Sequence, residues 1–278
     1  MLSGQALYDK LYSSGYHADL GLSHALYLSY DLHNMSNHQG YKISKVLDVG
    51  CSHGLGVKRL WELGFQASGV DLSAVAVRMA RINRKPPRRR GQSRDEAATK
   101  WCVGTCFQQS SATSLPFANG TFDATLSTDV LEHLPPEDVP VAVSELARVT
   151  RRLLFLKIAP RKEALGAELS RLRAQLQNAS GEASRAAPPA PNSTAIVMHA
   201  SAISSPTGAS PATTELLPAQ LHLTVRDTRF WLAQFEQAGF VLHHRLEEVM
   251  KWQAKFKHLC CSFVLERGAP TRPVMVYV

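Results

Sequence analysis

Lys45-Val-Leu-Asp-Val-Gly-Cys-Ser-His-Gly-Leu-Gly-Val57, followed by Gly69-Val-Asp-Leu-Ser73, decides the fold. An apolar run enters a glycine-punctuated turn and continues into a helical pattern. A second apolar run then ends in an acid about 20 residues after the turn, an arrangement suited to holding a nucleoside. Gly50 lets the chain turn sharply off the strand, while Gly54 and Gly56 let backbone approach a ligand where a Cβ would collide. The free N–H groups at the helix start favour an anionic ligand group. Asp71 can accept hydrogen bonds from ribose hydroxyls. The spacing excludes the usual dinucleotide fingerprint, which would need glycine at Ser52 and glycine or alanine at Leu55, and the Walker lysine is absent.

Working outward, periodicity predicts a mostly helical lead-in over residues 1–40, with Tyr8, Leu11 and Tyr12 on one apolar face. Residues 41–160 form the core. Strands are expected at 45–49, 67–70, about 102–108 and 122–127, and over the unbroken run Leu153–Leu156 with Ile158, whose apolarity suits a strand covered on both faces. Gly64 ends the first core helix, Ser73 caps the second, and Pro140 starts a later one. Residues 84–100, with Pro86-Pro87 and Arg88-Arg89-Arg90, are expected as a basic inserted loop. Residues 161–215, rich in Ala, Ser, Pro and Thr from 180 onward, are expected as a low-complexity disordered insertion. Residues 216–278 should complete the same domain, with Trp231 and Phe235 turned inward on a helix ended by Gly239, then strands near 240–249 and 259–265.

At 278 residues with 45% hydrophobic and 19% charged content, the chain reads as globular. No apolar run approaches the ~20 residues that span a bilayer, and the first residues lack a signal-peptide pattern. The five scattered cysteines, none paired at zinc-knuckle spacing, are expected as reduced thiols of a cytoplasmic protein. Net charge is +8, much of it in Arg84, Lys85, Arg88, Arg89 and Arg90. That run is either a solvated loop or a contact for nucleic acid or an acidic membrane surface, and no RNA-binding aromatic motif accompanies it.

Leu-Asp-Val-Gly-Cys-Ser-His-Gly, Gly-Val-Asp-Leu-Ser and the stretch from Ser114-Leu-Pro-Phe to Val-Leu-Glu-His-Leu134 together resemble the type 11 branch of the class I S-adenosylmethionine-dependent methyltransferases. Arg-Phe-Trp…Phe…Ala-Gly-Phe240 resembles that family's last helix and hairpin. The resemblance implies an α/β, Rossmann-like, doubly wound sheet of seven mostly parallel strands with an antiparallel C-terminal hairpin strand. It also implies S-adenosyl-L-methionine as cofactor, held by Asp48, Gly50, Cys51, Gly54, Asp71, Leu72, Ser111, Ala112 and Thr128. The sequence departs from the family at Ser52, where the middle glycine is common, and at Ser111-Ala112, where the family places Asp-Ala to receive the adenine amino group.

Asp129, Glu132 and His133 stand at i, i+3 and i+4, so one helical turn would gather them. In one reading Glu132 and His133 organise the loop. In another, His133 or Asp129 is a general base for the methyl acceptor. In a third, Asp-x-x-Glu-His is similar to the metal-binding motif of ubiquinone-pathway and small-RNA methyltransferases, which implies completion by His222 and a preference for Mg²⁺ or Mn²⁺. The metal-free readings are preferred. The expected acceptor is a small molecule offering an oxygen, nitrogen or carbon nucleophile. The alternatives are a metal-dependent O-methyltransferase for a ribose or catechol-like diol, or a binding module without catalysis.

Overall fold

A computed structural model describes residues 4–13, 24–38, 41–158, 222–243 and 262–268. The expected insertion at 161–215 lies outside them. All the described residues fall in one unit, made of residues 1–159 and 221–278. The lead-in forms α1 (Gly4–Ser13) and α2 (His24–His38). The core follows as β1 (Lys45–Val49), α3 (Leu55–Glu62), β2 (Gln66–Asp71), α4 (Ala74–Asn83), α5 (Arg94–Trp101), β3 (Phe107–Gln109), β4 (Phe122–Thr128), a 3-10 turn (Leu131–His133), α6 (Val139–Val149) and β5 (Thr150–Lys157). Across the break come α7 (Thr228–Gln237), β6 (Phe240–Leu242) and β7 (Ser262–Arg267).

The seven strands pair in the order β3-β2-β1-β4-β5-β7-β6. The first five run parallel, and β7 runs antiparallel to both β5 and β6. The order reverses between β1 and β4, and the carboxyl ends of strands at such a reversal are where open α/β sheets bind ligands. The sheet is Rossmann-like and doubly wound, with helices on both faces.

Strand alternation divides the core into two layers. Leu154 and Leu156 of β5 face Leu146, Trp231 and Phe235 from α6 and α7. Leu153 and Phe155 face the other way, with Leu32, Leu60 and Trp61 from α2 and α3. Both faces of β5 are therefore covered, which accounts for its unbroken apolar run. Each such side chain contributes roughly 1.5–3 kcal/mol on burial. Trp61 also ties helix to sheet, since its indole N–H donates to the Ala67 carbonyl at 2.9 Å.

Helix ends follow from local chemistry. Ser73 accepts at α4 from the Ala76 N–H, and Asp227 caps α7 by accepting from the Phe230 N–H. Gly64 and Gly239 hold positive φ just past α3 and α7.

Two expectations are corrected. Residues 84–100 are not all loop, because α5 occupies 94–101. Ser93 accepts from the Glu96 N–H at 3.1 Å while the Glu96 carboxylate accepts from the Ser93 N–H at 2.7 Å, a reciprocal cap that starts a helix directly after the arginines. Nor are all the cysteines reduced. Cys102 and Cys106 form a disulfide across the turn into β3, so that strand begins at Phe107 and not near 102. Cys51 is a free, buried thiol. Of the C-terminal strands, β6 stops at Leu242, and residues 244–261 lie outside the described residues. Among the described residues no helix is long and apolar enough to cross a membrane.

Candidate active site

The glycine turn leaves β1 at the reversal point. Gly50 and Cys51 donate their N–H groups to the Val70 carbonyl at 2.8 and 2.9 Å, lashing the turn to β2. Gly54 holds φ +76 and starts α3 without a side-chain cap. A Cβ there would lie 2.6 Å from the Phe107 ring, and one on Gly56 would lie 2.5 Å from Asp48 Oδ2. Ser52 adopts φ +49, a left-handed conformation that glycine takes freely and serine takes at a cost of about 1–2 kcal/mol. Its N–H donates to Asp71 Oδ2 at 2.8 Å, a bond that holds the residue there.

Two acids end β1 and β2. Asp71 accepts from Ser52 N–H and, through Oδ1, from Ser73 N–H at 2.9 Å. Both bonds fix the carboxylate and leave further lone pairs for a ligand. Burial raises Asp71 to about 6 despite these bonds. Asp48 is buried, and burial with the neighbouring Asp71 charge raises it to about 7. Asp48 Oδ1 has no hydrogen-bond partner among the described residues. A buried acid without a partner is costly unless a ligand supplies the missing donor or positive charge. The Ser127 hydroxyl, buried near the end of β4, likewise has no partner among the described residues.

These acids set a pH dependence. Their folded-state values exceed the ordinary carboxylate value, so the folded chain holds more protons than the unfolded one between about pH 4 and pH 7. Stability of the ligand-free protein should therefore fall as pH rises through that window. Melting temperature should drop from pH 5 to pH 7.5, and Asp48→Asn should flatten the drop. An equal drop in that variant would remove Asp48 as the cause.

The other cofactor positions surround the same turn. Leu72, half-buried, follows Asp71, and its carbonyl accepts from Gln109 Nε2 at 3.2 Å. The Ser111 hydroxyl accepts from the Thr113 N–H at 3.2 Å and pairs with the Thr113 hydroxyl at 2.7 Å. Part of its accepting capacity is thus already used locally. Ala112 is buried beside it, and Thr128 is the last residue of β4.

Helix α1 contributes residues that sequence reading passed over. Asp9 accepts from the Ser73 hydroxyl at 2.5 Å and from the Val75 N–H at 3.2 Å, pinning α1 to the start of α4. The Ser73 bond, first among its causes, holds the Asp9 carboxyl below its usual range. Tyr12 meets the ring of His53 edge-on at 5.1 Å, beside the glycine turn. Burial, with Asp71 nearby, pushes the Tyr12 phenol far up, so it stays a neutral donor. Burial pushes His53 down, with Arg84 adding to the effect. No sequence signal foretold these contacts beyond the apolar face of α1.

After β4 the expected helical grouping is replaced by a different geometry. Asp129 takes φ +55, its N–H donates to the Lys157 carbonyl at 2.9 Å, and its carboxylate pairs with the Lys157 ammonium. Asp129 is not part of the group of possible metal ligands that follows. Glu132, His133 and His222 do converge, each offering one ligand atom, with those atoms all within 4.8 Å of one another. The His133 and His222 rings lie 4.7 Å apart, and Tyr8 meets His133 edge-on at 6.1 Å. The segment after the break is held in place because Thr224 donates its N–H to the Glu132 carbonyl and its hydroxyl to the Leu134 carbonyl.

Residues 47–153 match the family model described as a methyltransferase domain. The ubiquinone biosynthesis O-methyltransferase of Nitrosococcus oceani is 28% identical over 126 residues, 45% of this chain and 48% of that protein. The match thus spans about half the length of that relative. Magnesium protoporphyrin IX methyltransferase of Synechocystis PCC 6803, solved with bound SAH, superposes with a TM-score of 0.52 at 15% identity. The alignment covers 95% of this chain and 97% of that one. A protein solved in connection with the conversion of a disulfide bond into a thioacetal group during echinomycin biosynthesis gives a TM-score of 0.51 at 16% identity, covering 96% and 93%. The likeness to both structures is one of fold.

Proposed function

As a member of the class I S-adenosylmethionine-dependent methyltransferases, this chain, we propose, binds S-adenosyl-L-methionine between the ends of β1 and β4 and transfers its methyl group to a small molecule. The observation that carries this reading is the pair of buried acids, Asp48 and Asp71, around a turn where added Cβ atoms would collide. Asp71 is oriented to accept from ribose hydroxyls, and Asp48 Oδ1 has capacity for a donor or cationic group. In this reading Ser111 and Ala112 take the adenine end, and Gly50, Cys51, Gly54, Leu72 and Thr128 take the rest of the cofactor. A bound sulfonium supplies a methyl group already activated for displacement. The chain then has to align the acceptor, exclude water and accept a proton where the acceptor carries one. In this reading His133, half-buried beside Tyr8 and His222, takes that proton. Asp129 is directed to Lys157 instead and serves the loop. Titrating the full chain with S-adenosylmethionine by calorimetry tests the reading. Binding in the micromolar range is expected, and no heat of binding at millimolar ligand would refute it.

A second reading is favoured by the Glu132, His133 and His222 donors. One carboxylate and two imidazoles suit a divalent ion, which would bind and acidify paired oxygens of a catechol-like or ribose diol. Similarity to an O-methyltransferase of ubiquinone biosynthesis supports an oxygen acceptor. With catechol as probe, the metal reading expects methylation to fall at least tenfold in chelator, return with Mg²⁺ or Mn²⁺, and be lost in His222→Ala. Activity unchanged by chelator would leave His133 as a metal-free base.

A further inference from the structure

We propose that the arginine-rich surface formed by residues 78–100 docks the phosphodiester backbone of a nucleic acid. The proposal goes beyond methyl transfer and rests on different observations. Residues 78–100 carry nine basic and two acidic side chains, a surplus of seven against +8 for the whole chain. The rest of the sequence is close to neutral, so this segment holds most of the net charge.

Part of this surplus is held by the fold, since Arg81 donates to the Phe107 carbonyl and Lys85 to the Arg81 carbonyl, but most of it is not paired with acids. Lys85, Arg88, Arg89, Arg90 and Arg94 are exposed, and no ion pair among the described residues involves any of them. The acids Asp95 and Glu96 stand in the first turn of α5, and Glu96 is taken up by the cap with Ser93. Arg88 to Ser93 line an open hollow of about 570 Å³. Clustered like charges repel one another, and a polyanion is the partner that relieves this.

The two ends of the segment lie at different levels of the sheet. Gln66, the first residue of β2, donates through Nε2 to the Thr99 and Cys102 carbonyls at 3.4 and 2.8 Å. Arg81 reaches the carbonyl of Phe107, the first residue of β3, at 2.8 Å. The α5 end of the segment therefore sits at the amino end of β2, while Phe107 pairs with Gly69, two residues before Asp71, so the α4 end lies nearer the carboxyl ends. The cluster is anchored below by the Cys102–Cys106 disulfide, which closes the turn between α5 and β3.

Chemistry favours nucleic acid over an acidic membrane. Seven of the nine cations are arginine, whose planar fork pairs with phosphate oxygens in a bidentate way. A membrane-surface helix needs an apolar face to insert. The apolar residues of α4, Ala76, Val77 and Ala80, are buried in the core, and Ala97 of α5 is buried too. Ile82 alone is exposed there among the large apolar side chains.

The test uses the full chain with fluorescein-labelled single-stranded RNA and duplex DNA of about 20 nucleotides, read by anisotropy across a salt series. Both probes should bind at about 0.1 M salt, with affinity falling steeply as salt rises. Changing Arg88, Arg89, Arg90 and Arg94 together to Gln should weaken binding at least tenfold and make the log–log salt slope shallower by about 3–4. The melting temperature should be unchanged. The four corresponding Lys changes should keep most of the slope. Arg151→Gln with Arg152→Gln, also exposed, should leave binding within twofold. The proposal is overturned by no binding of either probe, by equal binding of the Gln variant, or by an equal loss in the Arg151/Arg152 control. Capture by phosphatidylserine vesicles under conditions where neither probe binds would assign the surface to membranes instead.

Discussion

Asp71→Asn should weaken S-adenosylmethionine binding by about 2–4 kcal/mol, roughly 30- to 1,000-fold. The carboxylate has two tasks, and asparagine, with one accepting oxygen and no charge, meets neither in full. Its oxygens receive the Ser52 and Ser73 N–H groups while keeping lone pairs for ribose hydroxyls. An amide presents an NH₂ where one of those N–H groups points, setting donor against donor. The turn residue affected is Ser52, whose left-handed backbone relies on that bond. Calorimetry on the variant measures the loss. Affinity within twofold of the parent would remove Asp71 from the cofactor site.

Gly54→Ala should destabilise the ligand-free protein by about 2–5 kcal/mol, combining left-handed strain with forced overpacking. The new methyl would lie 2.6 Å from two carbons of the Phe107 ring and 3.2 Å from the Ala80 Cβ. Phe107 is buried against Trp61, their ring centroids 5.7 Å apart, so it has little room to yield. A fall in melting temperature of about 5–15 °C is expected. A change under two degrees would show that the turn relaxes freely, and the close packing inferred around it would be wrong.

The parts legible in the sequence were those where one residue type answers one physical demand. Unbroken apolarity at 153–156 announced a strand covered on both faces, and Asp71 after Gly69-Val70 announced an acid at a strand end. Ser73 and Gly64 marked helix ends for the same reason. What stayed hidden depended on distant partners or on competing local signals. Ser93-x-x-Glu96 is a helix-start pattern, but Pro86-Pro87 and the arginine run pointed to loop, and the reciprocal cap prevailed. The Cys102–Cys106 bond depends on how the turn into β3 brings two side chains together. Asp129 shares helical spacing with Glu132 and His133, yet Lys157, 28 residues away, draws it aside. Asp9 reaches Ser73 over a separation of 64 residues, and nothing near Asp9 in the sequence marks that contact.

The position of β7 constrains how the chain is made. It lies between β5 and β6, although β6 precedes it in the chain. As the polypeptide leaves the ribosome, β5 and β6 both wait with an open edge for a strand synthesised after them. The sheet cannot close until residues 262–267 emerge, so pairing of β5 with β7 spans more than 100 residues and pays a large loop-closure entropy. During that interval the apolar edge of β5 stays unpaired, an exposure that ends only with the last strand of the sheet.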